Sequence, residues 1–203
     1  MPTTRLEAFS DGVFAIAITL LVLEVKLPGH DADLAHALLH EWPSYLAFGV
    51  SFLTIGIMWV NHHALFGFVG ATDRVLLYVN LGLLMCVSFV PFPTSIVAEF
   101  VEKHGQARAA AILYGCVFTL AACFWQVLWY WAIPRPGILR EDADPAALAE
   151  LNRGFWIGLP VYALGTAIAL ASPIASIAVF GGVALFYVFG RPARASHVHL
   201  RRG

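Results

Sequence analysis

Residues 5–26 read RLEAFSDGVFAIAITLLVLEVK. A run this long and this apolar is a membrane-spanning helix, since a bilayer takes about 20 residues at 1.5 Å each. Yet it carries Arg5 and Asp11 near its start and Glu24 at its end. Ionisable groups within a span are costly in lipid, so they face protein or a water-filled path. Asp11 stands six residues beyond Arg5, about 9 Å deeper along a helix.

The rest of the chain has the same character. Of its 203 residues 60% are hydrophobic and 12% charged, against about a quarter charged in soluble domains. That deficit places the protein in a bilayer. A formal net charge of −1 with no basic stripe excludes nucleic acid as a partner. Cys86, Cys116 and Cys123 sit in apolar runs without a CxxC, so neither a disulfide framework nor a zinc knuckle is indicated. There is no HExxH, no paired carboxylate and no Ser with a base, so the chain is not expected to be an enzyme. His62 and His63 are adjacent and point about 100° apart on a helix, a poor arrangement for sharing one metal ion. His36 and His40, at i and i+4 in a loop, read as a solvated amphipathic face, and no metal site is expected. The first apolar run is too long for a cleavable signal peptide and contains Asp11 and Glu24.

Six stretches are apolar enough to span, at about 6–25, 43–66, 75–97, 109–133, 155–171 and 173–189. Pro91 and Pro93 break or kink the outer end of the third. The fifth and sixth are separated by little more than Ser172-Pro173 and form a tight hairpin. The expected fold is therefore an all-α membrane protein with six transmembrane helices per chain. An even number of spans puts both termini on one side, and basic residues say which. With a cytoplasmic N-terminus, Arg5, Arg74, Arg135, Arg140, Arg153, Arg191, Arg194, Arg201 and Arg202 lie inside, and Lys26, Lys103 and Arg108 outside. Trp125, Trp129, Tyr130 and Trp131 form an aromatic belt at the inner end of the fourth span, and Trp42 and Tyr45 mark the outer end of the second. The inner loop 134–154 reads as a turn and a short surface helix with Asp144 as N-cap. The outer loop 28–41 reads as a short amphipathic piece, and SHVHLRRG as a solvated basic tail.

A carboxylate at Asp11 needs donors. Trp59, Asn61, His62 and His63 on the second span and Asn80 on the third share its depth, because one descends to the inner face and the other rises from it. The residues alone leave open a polar clamp between helices, a switch, and an ion or proton site. Past Asp11, the residues Ile16, Leu20 and Leu23 fall within about a 60° stripe, with Asp11 on roughly the opposite side. Gly12, Ala15 and Ala17 permit close helix approach.

The segment RLEAFSDGVFAIAITLLVLEVKLP resembles the first helix of the bacterial transmembrane protein 175 family, relatives of the endosomal and lysosomal potassium channel. The hallmark is an Arg, three residues, then Phe-Ser-Asp, here Arg5, Phe9, Ser10 and Asp11. The WVNHH segment, Trp59 to His63, and the six-span layout are also similar. The resemblance implies a potassium-preferring cation channel that lacks the TVGYG filter, formed by a homotetramer of single six-helix domains, each covering residues 1–203. It implies that the first helices line a central pore, with pore-lining and selectivity positions at Ile16, Thr19, Leu20 and Leu23. It also implies a structural polar network of Arg5, Phe9, Ser10, Asp11, Trp59, His62, His63 and Asn80. Four copies of Glu24 would add carboxylates at the outer vestibule and concentrate cations. The expected partners are further copies of the chain, the lipid bilayer and monovalent cations. Permeant potassium ions are expected and no cofactor. The expected location is the inner cell membrane, multi-pass. Two other readings are a proton-coupled secondary transporter using Asp11 and His63, and a non-transporting membrane scaffold.

Overall fold

The structure, a computed structural model, describes residues 3–25, 33–101, 103, 105–135 and 137–189, without the side chains of 150 and 153–155. Lys26, the basic tail with Arg191, Arg194, Arg201 and Arg202, and the Arg153 side chain lie outside it.

Every regular element is a helix among the described residues. The first helix, α1 (Thr4–Leu20), tightens into a 3-10 turn over Leu21–Glu24. The short α2 (Leu34–His40) starts at Asp33, whose carboxylate accepts from the Ala35 N–H. It leads into α3 (Trp42–Phe66), which has proline in its first turn, where a missing N–H costs nothing. Next come α4 (Arg74–Phe89) and α5 (Pro91–Phe100), then α6 (Ala107–Ala132). Last are α7 (Pro145–Trp156), α8 (Gly158–Ile168) and α9 (Pro173–Phe189). The run Thr4–Glu24, α3, the pair α4–α5 and α6 are 21, 25, 27 and 26 residues long and apolar enough to cross a membrane. At 1.5 Å per residue these exceed the roughly 30 Å hydrocarbon thickness.

The third expected span breaks where its prolines stand. Pro91 has no N–H for the Val87 carbonyl, and the Val90 N–H takes that carbonyl instead at 3.2 Å. The broken end is held by a directed chain of buried hydroxyls. Thr94 Oγ1 donates to the Val90 carbonyl at 2.8 Å, so it accepts from Ser51 at 2.8 Å, and Ser51 accepts from the Tyr114 hydroxyl at 3.1 Å. Tyr114 is fully buried, so without this partner its hydroxyl would be a buried unsatisfied group.

The fifth expected span, 155–171, differs from the sequence reading. It is not one long helix: α7 stops at Trp156 and α8 covers only Gly158–Ile168. Pro160 is the reason, because it offers no N–H to the Trp156 carbonyl and its ring crowds that position. The hairpin with α9 is as tight as expected. Ser172 Oγ caps α9 by accepting from the Ala175 N–H, and Ser176 Oγ donates to the Gly165 carbonyl at 2.7 Å. With 11 and 17 residues, α8 and α9 fall short of the other spans.

Helices in lipid gain no hydrophobic energy from one another, so close fit and small residues hold them. Where α4 meets α6, a Cβ at Gly82 would lie 2.4 Å from Phe124. Where α6 meets α8, one at Gly115 would lie 2.5 Å from Thr166 Oγ1. Beside the latter, Thr119 donates to Thr166 at 2.9 Å, since the Thr166 hydrogen is committed to the Tyr162 carbonyl.

One end of the bundle is tied by backbone. The Gly70 N–H donates to the Ile138 carbonyl at 2.8 Å and the Arg140 N–H to the Phe68 carbonyl at 2.9 Å, joining the loop after α3 to the loop after α6. Asp73 sits at this junction. One carboxylate oxygen accepts from the Leu76 N–H at 2.7 Å, capping α4, and the other from Trp131 Nε1 at 3.0 Å. The Arg135 guanidinium lies over the Trp131 ring. The Leu76 amide first, with help from Trp131 and Arg135, holds the Asp73 carboxyl below the usual aspartate value. A depressed carboxyl stabilises the fold fully above its unfolded pKa, about 3.9, and that contribution is lost as pH falls through the folded value. Thermal unfolding measured from pH 6 down to pH 3 is therefore expected to show an acid-side loss that Asp73→Asn reduces. Asp73→Ala is expected to cost about 1 kcal/mol at neutral pH, the usual value of an N-cap.

Candidate pore face and its polar anchor

The first helix has two faces with different fates. Ser10, Phe14, Ala17 and Leu21 are buried, and their spacing of four, three and four residues is one helical stripe. A second stripe, about a third of a turn around the helix, stays uncovered: Ile16 is 61% exposed, Leu20 41% and Leu23 73%. The 3-10 turn sharpens this stripe. At three residues per turn Leu23 stacks directly over Leu20, while Ile16 and Leu20 differ by about 40°. The tighter turn also rises about 2 Å per residue, so the three side chains extend over roughly 12 Å. Between them, Thr19 is exposed and its hydroxyl donates to the Ile16 carbonyl at 2.9 Å. With its hydrogen committed inward, the oxygen can only accept outward, the polarity a cation requires. Gly12 and Ala15 are exposed, and a Cβ at Gly12 would meet nothing within 4 Å. Of Gly12, Ala15 and Ala17, only Ala17 is buried within the protomer.

The first helix is fastened by two parallel arrangements rather than by one network around Asp11. In the first, His62 Nε2 donates to Asn80 Oδ1 at 2.8 Å, and Asn80 Nδ2 donates to Ser10 Oγ at 3.0 Å. Ser10 in turn donates to the Leu6 carbonyl at 2.8 Å. That last bond fixes every donor in the series: a serine whose hydrogen is used can only accept from the Asn80 amide, which leaves the Asn80 oxygen to accept from His62. Ser10, His62 and Asn80 are each at most 1% exposed. Phe66 stacks on the His62 ring at 4.4 Å, and Phe14 meets it edge-on at 5.4 Å. In the second arrangement, Trp59 Nε1 donates to Asp11 Oδ1 at 2.9 Å, and His63 stacks on Trp59 at 6.3 Å.

The expected network is thus divided by geometry. Asp11 lies 100° around the helix from Ser10, so the carboxylate reaches Trp59 from the rim of the interface and remains exposed, while Ser10 holds the interior. His62 joins Asn80 and His63 joins Trp59, so the two histidines face different partners, as neighbours on a helix must. Arg5 and Phe9 are exposed, Phe9 at 55%, and no hydrogen bond or ion pair brings Arg5 to Asp11 among the described residues. Glu24 is half-buried at the end of the 3-10 turn. No group of His, Cys, Asp and Glu able to hold a metal occurs among the described residues. The sequence reading missed Phe14 and Phe66, although each lies four residues beyond a network member, Ser10 and His62, the spacing of neighbours on one helix face.

Residues 5–91 match the family described as Endosomal/lysosomal potassium channel TMEM175. A potassium channel of Streptomyces collinus is 47% identical to the chain over 192 residues, 92% of each sequence. The chain belongs to the TMEM175 family. A potassium channel of Chamaesiphon minutus is 43% identical over 189 residues, 91% of this chain and 93% of that one. The crystal structure of a lysosomal potassium-selective channel TMEM175 homolog from Chamaesiphon minutus superposes with a TM-score of 0.83 at 42% identity, covering 92% of this chain and 96% of that one. The endosomal/lysosomal proton channel TMEM175 of Gallus gallus is 36% identical over 155 residues, 70% of this chain and 30% of that one. TMEM175 proteins are ion channels, which takes the chain out of the enzymes and into the multi-pass membrane proteins. The segment that matches the family holds α1, α3 and α4, the three helices that bring Ser10, Asp11, Trp59, His62 and Asn80 together.

Proposed function

We propose that this TMEM175 chain forms a potassium-preferring cation channel as a homotetramer, with α1 of each protomer around a central axis. The observation that carries the reading is the bare apolar stripe of Ile16, Leu20 and Leu23 on a helix whose other face is locked to α3 and α4. The identity of 43–47% to bacterial potassium channels over nearly the whole chain supports it. Each protomer is one domain spanning 1–203 with six crossings, the four long helical runs joined by α8 and α9, and both termini cytoplasmic in the inner cell membrane. Four copies of the stripe make an apolar constriction that conducts only when wetted. Thr19 oxygens offer partial compensation for lost hydration. Potassium is preferred because it sheds water more cheaply than sodium. Glu24 carboxylates at the outer vestibule raise the local cation concentration. Ser10, Asp11, Trp59, His62, His63 and Asn80 are the polar anchor that holds the pore helix at fixed depth and rotation, with Arg5 and Phe9 at its inner end. No cofactor takes part, and the permeant ion is potassium.

Reconstitution tests this directly. Purified chain in liposomes is expected to carry passive current that reverses near the potassium potential and to run as a tetramer. A well-folded monomer, or uptake that runs uphill only with a proton gradient, overturns it. Imposing proton and potassium gradients separately also distinguishes potassium permeation from the proton conduction named for the animal relatives.

A further inference from the structure

At the end of the bundle where α3, α6 and α9 begin and α5 finishes lies a groove of about 1010 Å³. It is at the upper end of small-ligand pockets, about 300–1,000 Å³. Its walls are apolar, with Leu46 and Val97 on one side and Ile174 and Leu185 on the other. A Cβ at Gly181 would touch Val50 at 3.4 Å, so α9 leans on α3 there, whereas nothing stands within 4 Å of a Cβ at Gly182. The groove therefore opens in front of Gly182. Among the described lining residues one is charged: Arg108, exposed in the first turn of α6. No ion pair to Arg108 occurs among the described residues. Trp42, 51% exposed, stands at the same rim, where an amphipathic ring suits the membrane interface.

We propose that this groove holds a phospholipid, its acyl chain in front of Gly182 and its phosphate on Arg108. The distribution of charge argues for this occupant. An apolar slot immersed in lipid admits hydrocarbon, and the Arg108 guanidinium at its mouth is matched by a phosphate, to which arginine donates in bidentate fashion.

Native mass spectrometry on full-length protein, exchanged into phosphatidylglycerol or into diacylglycerol of the same chains, tests the assignment. The wild type is expected to retain severalfold more phosphatidylglycerol than diacylglycerol. Arg108→Gln is expected to bring phosphatidylglycerol down to the diacylglycerol level. Gly182→Leu, whose Cβ meets no neighbour, is expected to expel both lipids while unfolding at the wild-type temperature. Equal retention in Gly182→Leu overturns the proposal, as does wild type with no headgroup preference. A Gly182→Leu protein that loses its oligomeric state yet keeps its lipid assigns the groove to a second copy and likewise overturns it.

Discussion

Ile16→Asn and Leu23→Asn are expected to raise potassium conductance, on the order of tenfold, and to weaken discrimination against sodium. In the protomer both side chains stand in the open on the stripe that α1 turns away from its own bundle. Around the proposed fourfold axis each would become a ring, and water leaves an apolar ring of small radius more readily than a polar one. Four amides replace that surface with donors and acceptors, so water stays and the ion meets a lower barrier. Taking about 1.4 kcal/mol off the barrier is a tenfold gain in rate. The internal control is Val22→Asn. Val22 is also exposed, at 57%, but stands a third of a turn away from Leu23 within the 3-10 segment, so its conductance is expected to stay near wild type. Single-channel recording of the three variants decides the matter: unchanged currents for both Ile16→Asn and Leu23→Asn remove this stripe from the ion path.

The second large effect is on stability. Asn80→Leu is expected to destabilise the assembled protein by about 2–3 kcal/mol, against less than about 1 kcal/mol for Asp11→Asn. The ranking follows from burial. Asn80 accepts from His62 and donates to Ser10 with no exposure to solvent. Leucine at that place leaves the His62 N–H without an acceptor, and a buried unsatisfied donor costs about 1–3 kcal/mol. Ser10 is less affected, because it still donates to the Leu6 carbonyl. Asp11 makes one bond, to Trp59, from an exposed position, and single interhelical hydrogen bonds in membrane proteins average only about 0.6 kcal/mol. The double variant His62→Leu with Asn80→Leu is expected to recover part of the loss, since removing both partners of a buried bond is far milder than removing one. Thermal unfolding followed by size exclusion reads all four proteins. A double variant no more stable than Asn80→Leu would mean that the His62–Asn80 bond does not hold the helix.

Much of the helical layout was legible in the sequence because bilayer thickness demands a known length of apolar chain. The break at Pro91 was equally legible, since a proline announces which carbonyl loses its partner. Pro160 carried the same announcement for Trp156, but the apolar run continues across it. Hydropathy registers composition rather than hydrogen bonding, and so joined the end of α7 to α8. The anchor was legible as a set of polar residues at one depth, but its division was not. Asp11 drew attention because charge in a span is rare, whereas Ser10 is a common residue whose importance lies only in facing Asn80.

By itself, then, the sequence determined that this chain lives in lipid and to which family it bears a likeness, because apolar length and the Arg5 to Asp11 pattern are local in the chain. Only the tertiary structure decided which face of α1 is buried, which histidine meets Asn80 and which meets Trp59, and that Arg5 stands outside both arrangements. It also showed the hydroxyl chain from Tyr114 to Val90. A hydrogen bond between residues 70 positions apart depends on how three helices rotate against one another, and that rotation is set by the fit of side chains across their interfaces, which no single segment contains.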